Sequence, residues 1–430
     1  MNPRGHFRLL LELAGLLVVA SIWIGCGDDS TEPPLNEPPQ ISLVNPEVAV
    51  ASGSTVSLSV TVSDPDDDPL AVTWSVTGGS LRVSDQGKTT MQWTASSTLG
   101  VDTIRAVVSD GKSSRSVTVE FKIGTKVDAD IVGTVNWTQL NSPYIIIPPE
   151  IGGESRLAVF QGSQLNIPAG VEILVKNALI FDVAGRLNCR GTSGNPVTFY
   201  PNQRGPEAGA WVGFRVQTAT QATAGILDME YAEVAYATRN IHAIDDSKVY
   251  LKNTLLLFAS EAGLYFESGG DVKLENCEVT DNSGHGIWID GGYAITPDSV
   301  VIVNSEINLN GLTGISINLN DPFGTIPIRI YQSEILRNLA YGIHLLLPVR
   351  PTITQNAIYY NDMSQSVAEL RRNIVLEDPF SANFPTINAT NNYWLTTDPL
   401  VIAGSIYDSA DLPTEINVEV LYQPFRTVWP

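Results

Sequence analysis

The sequence predicts an all-β chain, a β-sandwich of short strands followed by a solenoid of the parallel β-helix kind. Three observations predict it. Residues Ile41 to Gly124 alternate apolar and polar side chains in short runs separated by turn residues. From Val249 to Leu345 one internal pattern recurs four times at uneven spacing, as when the wall of a solenoid is constant and its loops vary. The three cysteines are too few for a disulfide scaffold and offer no zinc spacing.

The chain opens with Arg4 and Arg8 ahead of a mostly apolar run from Leu9 to Gly25, so residues 1–25 read as a secretory signal. Its end, "WIGC", resembles a bacterial lipobox, with Trp23 where Leu is usual. That resemblance implies that Cys26 is lipidated and becomes the mature N-terminus. Plain signal-peptidase cleavage and an uncleaved anchor are the alternatives. Residues 26–40, polar and Pro-rich, suit a flexible tether from that lipid. The implied location is across the inner membrane, lipid-anchored in the cell envelope, at the outer membrane or the cell surface. No later segment is apolar enough to span a bilayer.

Residues 41–124 carry the strands "TVSLSVTVS", "LAVTWSV", "TMQWTA", "DTIRAVVSD" and "SVTVEFKI" at sandwich spacing, with Trp74 as the expected core aromatic. The stretch "SDPDDDPLAVTWSV" with "VVSDGKSS" resembles the PKD and cadherin-like modules of bacterial surface proteins, which are immunoglobulin-like sandwiches used as spacers or weak adhesins. Asp64, Asp66, Asp68 and Asp110 offer the carboxylate oxygens that Ca²⁺ takes. The same residues also serve as turn formers without a metal.

Residues 125–395 hold the repeat. An amide comes first in each copy (Asn253, Asn276, Asn304, Gln332) and a glycine ten positions later (Gly263, Gly286, Gly314, Gly342). Aliphatics flank both at period two, so one set faces inward and must stack on neighbouring copies to be buried. Asn282, Asn310 and Asn338 recur six positions after the amide; repeated Asn at one turn position predicts a side-chain amide ladder between coils. The glycine is expected where the chain bends without a Cβ. At roughly 25 residues per turn, some 230 residues of the segment make about nine coils.

The repeat, with "GSQLNIPAGVEILVKNALIFDVAGRLNCRGTSGNPVTFYP" and "GAWVGFRV" upstream, resembles the right-handed parallel β-helix family of secreted bacterial proteins. Downstream, "NNYWLTTDPLVIAGSIYD" looks like the family's terminal segment, with Leu395 where Gly is usual, and residues 396–430 read as a C-terminal cap. The resemblance implies the fold only, since binders, lyases, hydrolases and epimerases share it.

A balance of 25 Lys+Arg against 46 Asp+Glu, net −21, excludes nucleic acid as a partner. Two outward columns are left as candidate chemistry. Glu278, Glu306 and Glu334 stack two positions after the amide, which is either a solvated polar face or the acid row of a Ca²⁺-assisted lyase or glycosidase. Tyr265, Trp288, Ser316 and His344 face outward after the glycine, with Glu267, Asp290 and Asn318 two positions on. Exposed aromatics beside polar groups make a platform for sugar rings, and the alternative is that loops such as "GGYAITPDS" fold over this face and bury Trp288. His285, next to Asp281 and Asn282, is either a general acid or base or a surface histidine. The reading this favours is a non-enzymatic envelope lipoprotein that binds a polysaccharide or a surface protein along its wall. The alternative is a polysaccharide lyase or glycoside hydrolase.

Overall fold

The computed structural model describes residues 35–429 except 46, 149, 152–153, 219–223, 268–269, 293–298, 320–324, 347–348, 364–371, 378–385 and 412–417. Cys26, the signal segment and most of the tether lie outside the described residues. No helix among the described residues is long and apolar enough to cross a membrane.

The first unit is a β-sandwich. One sheet is formed by Gln40–Leu43, Thr55–Ser63, Thr90–Thr94 and Ser80–Leu81, and the other by Ala71–Val76, Gly100–Ser109 and Ser114–Val127. Alternation sends Leu58, Val60, Trp74, Trp93, Ile104 and Phe121 into a shared core. Trp74 is buried as expected, and its indole N–H donates to the Lys88 carbonyl at 2.9 Å.

Strand Ser114–Val127 belongs to both units. Its first ten residues pair antiparallel with Gly100–Ser109, and Thr125 to Val127 pair parallel with Tyr144–Ile146. The sandwich sheet therefore continues into the first wall of the solenoid as one 13-stranded sheet. Asn202 of that wall exchanges two 2.9 Å hydrogen bonds with the backbone of Ala49 in the sandwich.

Beyond the junction three parallel walls stack coil on coil. Their inward columns are in strict register. Ile173, Phe199, Val234, Leu256, Val279, Ile307, Ile335 and Ile358 fill the first wall, and Phe181, Phe214, Ile241, Leu264, Ile287, Ile315 and Ile343 the second. The third carries Leu165, Leu187, Leu227, Val249, Val272 and Val300. All of these side chains are buried in one continuous core, and no single coil encloses enough apolar surface to stand alone.

The polar repeat does two jobs. Asn253, Asn276, Asn304, Gln332 and Gln355 all take left-handed backbone conformations, φ +49° to +62°, which Asn tolerates better than most residues. The ladder belongs to the second set: the Asn282 amide donates to Asn310 Oδ1, Asn310 to Asn338 and Asn338 to Asn361, each at 2.9 Å. A second buried ladder, which the sequence reading missed, runs one position after the left-handed residue. There the backbone N–H groups of Cys277 and Ser305 each donate to the next coil's serine hydroxyl at 3.1 Å.

The repeat glycines are a correction. Gly263, Gly286, Gly314 and Gly342 are not left-handed, so the bend does not require them. A Cβ on Gly286 would sit 2.7 Å from both the Asn310 side-chain nitrogen and the Gly314 carbonyl oxygen. Glycine is there to make room for the ladder.

Candidate functional site

Two faces of the solenoid and one corner of the sandwich gather polar side chains. On the first wall Glu278, Glu306 and Glu334 stand in direct register. Glu334 accepts a 2.8 Å hydrogen bond from the Trp429 indole. The column is bounded by Leu255 and Ala357, and the next outward row reads Leu257, Thr280, Asn308 and Leu336. Neither that row nor the bounding residues supplies a group that moves a proton near neutral pH.

The second wall is richer. Its outward column runs Asp182, Arg215, His242, Tyr265, Trp288, Ser316, His344, one residue per coil. Coils are roughly 4.8 Å apart, so the rings meet. Ring centroids are 4.7 Å apart for His242 and Tyr265, 4.5 Å for Tyr265 and Trp288, and 5.4 Å for His285 and Trp288. The Arg239 guanidinium lies 4.3 Å from the Tyr265 centroid, a cation–π arrangement.

Packing this close changes the expected exposure. Tyr265 is 7 % exposed and His344 9 %, so neither is the open platform that alternation alone predicted. Stacked rings and Arg239 cover the tyrosine, while His344 is flanked by Tyr341 and lies 2.8 Å from a Glu377 carboxylate oxygen. Trp288 and Asp290 remain half-buried. Asp290 accepts a 2.8 Å hydrogen bond from Asn318, and burial, helped by the Glu267 charge, raises its pKa.

His285 does not meet its sequence neighbours. Asn282 turns inward to the ladder, and Asp281 takes the Thr280 hydroxyl. His285 Nδ1 is buried without a hydrogen-bond partner. Burial first, then the neighbouring His344, pushes its pKa down to about 4, so the ring is neutral at neutral pH.

The structure adds His242, Arg239 and Arg215, which the sequence reading passed over, and gives Glu267 its partner. His242 Nε2 and Glu267 Oε2 are 2.6 Å apart, and burial lowers the His242 pKa against the pull of that carboxylate. Burial pushes the Tyr265 hydroxyl up to about 12, so it keeps its proton. Arg239 pairs with Glu261 at 2.7 Å. Arg215 and Arg156 both reach the buried Asp182, which Gln217 also holds. A cavity of about 370 Å³ opens beside His242, with Phe214, Arg215, Arg239 and Glu261 among its lining. The repeat alignment began one coil too late to reveal His242, because Asn240 stands where the later coils carry glycine. Extending it by one coil places His242 in the Tyr265 column.

In the sandwich, Asp64, Asp66 and Asp68 bring one carboxylate oxygen each within 4.8 Å of one another, an arrangement able to hold a divalent cation. Asp64 Oδ2 is buried without a hydrogen-bond partner, which fits an acceptor set short of a donor or cation. The Lys112 ammonium, 2.8 Å from Asp68, supplies part of that charge. Asp110 is a correction: it does not join the group. Its carboxylate closes the following turn by accepting the backbone N–H groups of Lys112 and Ser113, and it takes the Asn36 amide.

Residues 239–393 match the family model described as the right handed beta helix region, and residues 36–122 match the bacterial Ig domain. No curated protein sequence matches the chain. Among solved structures, the A-module of the mannuronan C-5 epimerase AlgE6 from Azotobacter vinelandii is similar at 14 % identity and a TM-score of 0.32, over 58 % of this chain and 77 % of that one. At that identity and TM-score the likeness assigns this chain neither a site nor a substrate.

Proposed function

We propose that this protein binds saccharides along the second wall of its β-helix. The observation that carries the reading is the in-register column His242, Tyr265, Trp288, with Glu267, Asp290 and Asn318 two positions on. Planar rings offer an apolar face to a sugar ring, and the neighbouring carboxylates and amide bond its hydroxyls. Tyr265 is buried while Trp288 is partly exposed, and Trp288, the largest ring of the three, carries the contact. Residues 27–430, titrated with neutral and acidic oligosaccharides by calorimetry, are expected to bind at least one class. Trp288→Ala is expected to weaken that binding about tenfold, near 1.4 kcal/mol. Unchanged binding by the alanine variant sinks the assignment.

One observation favours a second reading at the same place, chemistry on the bound sugar. His242, its pKa lowered by burial, is held by Glu267, one coil from the protonated Tyr265 and on the same strand as the Arg239 guanidinium. These are the parts needed to take and return a proton beside an anionic group. The same samples, assayed for new polysaccharide chain ends, separate the readings. Release that His242→Gln abolishes makes the protein a polysaccharide-cleaving enzyme. Binding without release leaves recognition.

For the sandwich we propose Ca²⁺ at Asp64, Asp66 and Asp68, supported by the spacing of their oxygens. Millimolar Ca²⁺ is expected to raise the Tm by about 3 °C, by binding the folded state alone, and Asp64→Asn to remove the shift. A wild-type Tm indifferent to Ca²⁺ rules the ion out.

A further inference from the structure

We propose that a cavity at the C-terminal end of the β-helix binds an uncharged, largely apolar small molecule carrying one carbonyl-type hydrogen-bond acceptor. The cavity measures about 390 Å³, a size that takes a small organic ligand. It lies where the last coils meet the short helix Pro399–Gly404, and Tyr359, Trp394, Leu395, Leu400, Val401 and Ile402 form most of its lining.

Three observations fix the chemistry of the ligand. None of the described lining residues is charged, so a charged molecule would give up its hydration with no compensating partner. Trp394 is only 3 % exposed, yet its indole N–H is buried with no hydrogen-bond partner. Buried N–H groups in folded proteins are nearly always paired, and a carbonyl oxygen on the ligand completes this one. Leu395 holds a left-handed backbone, φ +64°. A leucine there is strained, and it places an apolar side chain on the cavity wall. At the rim, Leu400 is 81 % exposed and Val401 57 %, apolar surface that an occupant would cover. A saccharide is a poor fit, because the lining offers too few polar groups for its hydroxyls. The site is independent of the second wall.

The test uses ¹⁵N-labelled residues 27–430 and two probes of similar shape, acetophenone and ethylbenzene. Acetophenone is expected to shift the Trp394 indole resonance saturably, the resonance being assigned by its loss in Trp394→Phe. It is expected to bind at least fivefold more tightly than ethylbenzene, and the phenylalanine variant is expected to erase that preference. Val401→Glu, at the exposed rim, is expected to weaken both probes while leaving the fold intact. Should Trp394→Phe fail to fold, the rim variant and the wild-type titration still decide. The proposal is overturned by the absence of saturable binding, by equal affinity for the two probes, or by a Trp394 resonance that does not move.

Discussion

Asn310→Ala is expected to be the most damaging single truncation in the solenoid that leaves the apolar core untouched. The Asn310 side chain donates to the Val279 carbonyl at 3.1 Å and to Asn338 Oδ1 at 2.9 Å, and accepts from the Asn282 side chain at 2.9 Å and the Asn282 backbone N–H at 3.3 Å. Alanine leaves the two Asn282 donors without this acceptor, deep inside the turn, and opens a void beside them. Each stranded polar group costs about 1–3 kcal/mol, so a total loss of about 3–5 kcal/mol is expected. Over a unit of this size that lowers the Tm by roughly 10 °C. Asn141→Ala, on an exposed turn, is the control and should stay within about 0.5 kcal/mol. Thermal unfolding of the two variants side by side decides the matter, and comparable melting temperatures would show that the ladder contributes little.

Gly286→Ala is expected to destabilise by about 3 kcal/mol or more, at the upper end for overpacking. A Cβ there meets the Asn310 nitrogen and the Gly314 oxygen at 2.7 Å and an Ile307 methyl at 2.8 Å. Two of these contacts come from the next coil's backbone and core, which cannot swing aside. Gly194→Ala, where nothing lies within 4 Å, should be nearly neutral. The reason for the glycine makes a sharper expectation. In the double variant Gly286→Ala with Asn310→Ala, the amide nitrogen that clashes with the new methyl is gone, so the loss should be smaller than the sum of the singles. Strict additivity in chemical denaturation would mean that glycine and asparagine recur from coil to coil for unrelated reasons.

Much of the fold was legible because period-two alternation and recurring amides are local signals. The strand "TVSLSVTVS" is Thr55–Ser63 as read, and the inward positions from Leu251 to Leu345 are buried as read. The function of the glycines was not legible, since the atoms each one avoids belong to residues 16 to 31 positions further along. Exposure was misjudged for a related reason. Alternation states which way Tyr265 points, but the ring that covers it comes from the next coil. His242 was hidden by Asn240, which broke the pattern one coil upstream. Asp110 looked like a fourth ligand by composition, whereas its role is settled by the backbone N–H groups of the turn that follows it.

The strand Ser114–Val127 has a mechanical consequence. A chain pulled at its N-terminal end loads the sandwich, and this one strand passes the tension directly into the first wall, because the same backbone is hydrogen-bonded on both sides of the junction. There is no slack linker to absorb a tug or to let the solenoid swivel. The bonds that take the load lie across the direction of pull and are strained together, in shear, so none can be unzipped alone. Whatever the far walls hold is thereby kept at a fixed heading relative to the sandwich, as a mast keeps a sail.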